Sequence, residues 1–150
     1  MSHVVASETE IPEAQLQTLI EACKHFGLEF IKGQTTYKWY GRFMDDYDRD
    51  DAAYKNGIKP EDYGKCVHAI RLPGCAYEIG VYKHPQTGNL RLIYDFFGEG
   101  RKIDALIGKR CEKLWTKQGE VWAMAHAKKN GLKCSKRVKD GVTEMVFTKN

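Results

Sequence analysis

The sequence predicts an α+β fold: an antiparallel sheet with two helices packed on one face, a ferredoxin-like variant of the split β-α-β arrangement. Three observations predict it. An amphipathic helical pattern near the N-terminus is flanked by runs of strand-forming residues. Three short strand-like runs between Cys66 and Phe97 are separated by turn signals. A long helical pattern is followed by a hairpin signal at Asp140-Gly141.

From Ile11 to Phe26, Leu16, Leu19, Ile20, Cys23 and Phe26 recur at steps of three and four, one face of a helix, with Pro12 suited to its first turn and Gly27 to its end. Ser2 to Thr9 is expected as a short edge strand before it. Leu28 to Tyr40, rich in Phe, Ile, Thr, Tyr and Trp, is expected as a strand after it. Between about 41 and 64 the chain turns acidic and small, with Asn56-Gly57 and Lys59-Pro60, and predicts a long loop or insertion. Cys66 to Leu72, Ala76 to Lys83 and Leu90 to Phe97 then form an antiparallel meander joined at Pro73-Gly74 and at Pro85 to Asn89. Ile103 to Lys129 carries Ile103, Leu106, Ile107, Leu114, Trp115, Val121, Trp122 and Ala125 at helical spacing, with a bend expected at Gly108 or Gly119. Leu132 to Val138 and Val142 to Phe147 pair across Lys139-Asp140-Gly141, because Asp-Gly tolerates the positive φ of a tight turn.

At 150 residues the chain has the usual size of one domain, 1–150, and enough length to bury a core. No apolar run approaches the ~20 residues of a membrane span, and the N-terminus lacks a basic region leading into an apolar one, so a cytoplasmic setting is expected. Five cysteines, widely spaced and without a C-x-x-C pair, predict free thiols, with no disulfide framework and no zinc site. The net charge of +4 is spread along the chain, which permits an anionic partner without demanding one.

Several segments also carry a family likeness. Met1-Ser2-His3 precedes a strand and helix, and Tyr77-Glu78-Ile79-Gly80 leads through a turn to a strand ending Tyr94-Asp95-Phe96-Phe97-Gly98. A long helix and a strand pair around Asp140-Gly141 close the chain. Over nearly all positions this resembles the domain of unknown function 1257 family, which includes a hypothetical open reading frame of plastid and cyanobacterial genomes and has bacterial and phage relatives. Where relatives carry two tryptophans after the aspartate, this chain has Phe96 and Phe97, and its segment at 41–64 is longer. The resemblance implies a fold and assigns no catalytic residue.

Candidate sites follow from residue chemistry. Gly98, Gly100, Arg101 and Lys102 join a strand to a helix and offer backbone N–H groups with two cations, as a phosphate or other anion would need. The third glycine of a dinucleotide fingerprint is missing, because Ile103 stands in its place, and an ordinary connecting loop explains the same residues. Tyr37, Lys38, Trp39 and Arg42 interleave aromatics and cations, which suits stacking on bases or a partner surface; core packing accounts for them equally well. Asp45, Asp46, Asp48, Asp50 and Asp51 are acidic enough to attract a hard cation. Counted as a calcium loop from Asp46, however, they put Asp51 at the turn glycine and Gly57 at the bidentate glutamate, so no metal site is expected. His25, His68, His84 and His126 fall on different elements and make no pair, and alternation places Glu78 and Asp95 on an outer face.

No catalytic signature or cofactor motif emerges. The expected function is therefore a non-catalytic binding or adaptor protein with a protein partner. The alternative is a protein that sequesters a nucleotide, a cyclic nucleotide or a nucleic acid, as a small phage-encoded protein would. A sheet edge near Leu28 or in the C-terminal hairpin is where a homo-oligomer would pair.

Overall fold

Short runs that alternate side chains between two sides are what build the antiparallel sheet. The computed structural model describes residues 5–7, 9–39, 64–96 and 100–149. In it, β1 (Val5–Ala6), β2 (Glu29–Lys32), β3 (His68–Arg71), β4 (Glu78–Lys83) and β5 (Leu90–Tyr94) make one sheet in the order β1-β5-β4-β3-β2. Every pairing is antiparallel. β2 to β5 are a meander, and β1 adds at the far edge through Val5 opposite Tyr94 and Ala6 opposite Ile93. The chain between β1 and β2 must therefore cross the full width of the sheet. It does so through a 3-10 turn at Glu13–Gln15 and α1 (Leu16–His25), which ends as Gly27 turns to a φ of 72°.

The period of two sorts the core. On one side Ile70, Ile79, Val81, Leu90, Leu92 and Tyr94 pack against Leu19, Ala22 and Cys23 of α1. The same layer takes Ile103 and Ile107 of α2 (Arg101–Ile107) and Leu114 and Trp115 of α3 (Glu112–Lys129). The expected long helix breaks at Gly108, whose φ of 94° suits glycine and where a Cβ would lie 2.2 Å from the Glu112 carboxyl carbon; Gly119 sits inside α3. The other side of the sheet holds a second, smaller core of Ala6, Tyr37, Ala69 and Ile93, with Trp39, Cys66 and Tyr82 against it. Gly80 lies under the Tyr37 ring, where an added Cβ would stand 2.4 Å from Cδ1.

A split β-α-β arrangement returns a strand to the main sheet after the second helix. Here the chain after α3 forms β6 (Leu132–Lys139) and β7 (Val142–Lys149), a two-stranded sheet of their own. The α+β class and the helix-covered antiparallel sheet stand as expected, with three helices in place of the expected two because the long one breaks at Gly108; the connectivity is that of a meander with a separate hairpin. The loop expected at about 41–64 lies outside the described residues, apart from Gly64.

Candidate partner-binding surface

α3 changes its buried stripe half-way along. At 100° per residue, Leu114, Trp115 and Gln118 share one side, and all three are buried toward α1 and the sheet. Gln118 Nε2 donates to Gln15 Oε1 at 3.0 Å and to Thr18 Oγ1 at 2.9 Å, tying the two helices together. Further on, the buried positions are Glu120, Ala123 and Ala127, on a different side, which small residues leave open to the hairpin. Glu120 fastens that contact, with Oε1 3.1 Å from Lys136 Nζ of β6 and Oε2 3.6 Å from Lys117 Nζ.

The hairpin turns at Asp140 and Gly141, with φ of 52° and 77°, as the sequence predicts for a two-residue loop. Its register pairs Cys134 with Phe147, Lys136 with Met145 and Val138 with Thr143, so these residues share the side that meets α3. Lys133, Arg137 and Lys139 point the opposite way, with Arg137 paired to Glu144.

Two flanks of α3 are left uncovered by this packing. Toward α1 there is a groove of about 620 Å³ whose lining includes Val121, Met124, Ala125, Leu132 and Cys134, completed by the exposed Glu21 and Lys128. Toward β7, Trp122 stacks on His126 with ring centroids 4.9 Å apart, and His126 meets Phe147 edge-on at 6.0 Å. Among the described residues all the exposed large hydrophobics, Trp122, Met124, Val138, Val142 and Phe147, lie on α3, β6 or β7; Met124 is 58% exposed and Val138 62%. Soluble monomers rarely gather apolar side chains in this way except where something binds.

The residues singled out in the sequence are placed elsewhere. Gly98 and Arg42 lie outside the described residues, as do Asp45 to Asp51. Gly100 is buried against the Asp95 carbonyl oxygen, 2.3 Å from where a Cβ would stand, while Arg101 and Lys102 are exposed on the seven-residue α2. Tyr37 is buried in the second core, Trp39 is half-buried beside it, and Lys38 is exposed, its backbone N–H donating to Glu78.

Glu78 and Asp95 require a correction. Expected on an outer face, they are 3% and 1% exposed. Alternation places them on the Tyr37 side, and there residues 34–39 cover Glu78. Glu78 Oε1 accepts from Lys38 N at 2.9 Å and Gln34 Nε2 at 3.0 Å, so this carboxylate holds the covering segment down.

The histidines stay apart. His68 Nδ1 accepts from Gly33 N–H at 2.9 Å and His84 Nδ1 from Gln86 N–H at 3.2 Å. Burial pushes the Cys23 and Cys66 thiols up to about 12, with the Glu78 charge adding to the effect at Cys66, and burial also raises Cys111. At neutral pH these thiols are protonated and poor nucleophiles. Among the described residues no three His, Cys, Asp or Glu side chains come together to hold a metal ion.

The fold and surface define an α+β chain whose covered sheet carries a helix-and-hairpin appendage with uncovered apolar flanks. No family model, no curated protein and no solved structure matches it.

Proposed function

We propose that this chain is a non-catalytic binding or adaptor protein that takes an apolar segment of a protein partner into the groove between α1, α3 and β6. The observation that carries this reading is the groove's lining: Val121, Met124, Ala125, Leu132 and Cys134 around about 620 Å³, with Met124 more than half exposed. A methionine-lined apolar groove adapts its shape to the side chain that enters it. A cytoplasmic setting belongs to the same proposal, and no helix among the described residues is long and apolar enough to cross a membrane. Membership of the domain of unknown function 1257 family is proposed with it, on the segments Tyr77 to Gly80 and Tyr94 to Gly98 and the closing strand pair; it adds no residue role.

The test compares partners captured from the host by the wild-type chain and by Met124→Glu. Met124 makes little buried contact, so the variant keeps its fold, which circular dichroism checks. The expected result is at least a tenfold loss of the captured partner, about 1.4 kcal/mol or more. Equal capture by both chains overturns the reading.

Nucleotide or nucleic-acid binding is the second reading, favoured by Lys133, Arg137 and Lys139 on the outward side of the hairpin. Its mark is an affinity that falls steeply with salt and with charge reversal at those positions.

A further inference from the structure

We infer that the open edge of β7 pairs antiparallel with β7 of a second copy of this chain, closing a four-stranded sheet about a two-fold axis. The inference uses the flank of α3 opposite the groove, so the proposed function neither supports nor needs it.

Lys139 and Val142 close a two-residue turn and are therefore a hydrogen-bonded pair, from which the antiparallel alternation runs along the hairpin. Val142, Glu144, Val146 and Thr148 spend their N–H and C=O groups on β6. Thr143, Met145 and Phe147 direct theirs outward, and among the described residues no strand pairs with that edge. Val142–Lys149 contains neither Pro nor Gly, and five of its residues are Val, Thr or Phe, so it is a strand-forming edge of the kind that templates another strand. A two-stranded hairpin alone is marginal in water, whereas four strands over helices are not.

Charge selects the edge and the occupant. β6 carries Lys133, Lys136, Arg137 and Lys139 with no acidic residue, so pairing β6 with itself would align like charges. β7 carries only Glu144 and Lys149 and is neutral. An antiparallel two-fold perpendicular to the sheet keeps both α3 helices on the same side. The Trp122, His126 and Phe147 cluster beside the edge then meets its own copy across the axis, and its exposed aromatic surface becomes covered.

Two readouts on the full chain test this. Sedimentation velocity is expected to show a dimer for the wild type at about 100 µM, a monomer for Trp122→Glu, and a dimer for the groove variant Met124→Glu. Amide-resolved hydrogen exchange adds a signature that no other dimer gives. The Thr143, Met145 and Phe147 amides slow by roughly tenfold or more on going from about 1 to about 100 µM, while Glu144 and Val146, bonded within the hairpin, do not change. A monomeric wild type overturns the inference. So does a dimer in which the three outward amides exchange equally fast at both concentrations. Because Met124→Glu and Trp122→Glu lie on different flanks, loss of partner and loss of dimer are read separately.

Discussion

In β4 and β5 the side chains that face the helices, Ile79, Val81, Leu90, Leu92 and Tyr94, are enclosed almost completely. In the β6–β7 hairpin Val138, Val142 and Phe147 remain widely exposed although their strands are longer. The strand chemistry is similar; the covering differs. The main sheet has three helices on one side and the 34–39 segment with Tyr37 on the other, while the hairpin has only α3 on one side, and a helix that also serves the main core cannot cover eight-residue strands. Strand propensity thus settles that a segment extends, and the number of layers packed on it settles whether its apolar residues stabilise the chain or remain available to something else.

The sharpest way to break this comparison is to truncate matched side chains in the two regions. Leu92→Ala removes a fully buried leucine and is expected to cost about 2–5 kcal/mol, read as a shift in the midpoint of urea unfolding. Val142→Ala, at a position 60% exposed, is expected to stay within about 0.5 kcal/mol. Equal losses would mean that the hairpin is packed as tightly as the sheet.

The next effect concerns the second face of the main sheet. Gly80→Ala drives a methyl group against the Tyr37 ring and Ile93, an overpacking expected to cost about 1–3 kcal/mol, although alanine in a strand interior normally gains stability over glycine. In the double variant with Tyr37→Ala, the Gly80→Ala penalty should largely vanish, and a thermodynamic cycle measures that coupling. Glu120→Ala is expected to cost about 1 kcal/mol, because the Lys136 partner is half exposed and solvent screens the pair. Its signature is local, with faster hydrogen exchange in β6 and β7 and unchanged protection in β4 and β5.

The smallest effect is a pH dependence at His68. Burial, with the Lys32 charge adding to it and Glu13 opposing, holds its folded pKa below the ordinary value, and its neutral Nδ1 accepts the Gly33 N–H. A depressed folded pKa means that the contribution is present above the unfolded value, about 6.5, and is lost as pH falls through the lower folded value. Unfolding free energy measured downward from pH 7.5 should therefore fall more for the wild type than for His68→Gln. Parallel profiles would show that His68 contributes nothing.

Much of the main sheet was legible because its pattern is local. Alternation in Glu78–Lys83 and Leu90–Tyr94, the turn residues between them and the Asp140-Gly141 loop each act over a few residues, and each predicted its element. The candidate surface was not legible for the same reason. Trp122 and Val121 fit the helical period that continues from Leu114 and Trp115, and nothing local says that α3 changes its buried side after Gln118. A signal was nonetheless present: Ala123 and Ala127 are small residues four apart, as a closely packed strand pair requires, and Glu120 sits three positions before Ala123.

By itself the sequence determined most of the extended and helical segments, a helix break at Gly108 or Gly119, the hairpin turn and which residues share each side, because these follow from period and from the backbone freedom of particular residues; the structure placed the break at Gly108 and kept only Glu29–Lys32 of the strand expected over Leu28 to Tyr40. The tertiary structure decided which sides are covered. It buried Glu78 beneath the 34–39 segment, enclosed Asp95, and set β6 and β7 apart from the main sheet. It also left Trp122 and Met124 exposed on opposite flanks of one helix. A period records which side chains point together; whether another layer arrives to enclose them depends on contacts between residues far apart in the chain.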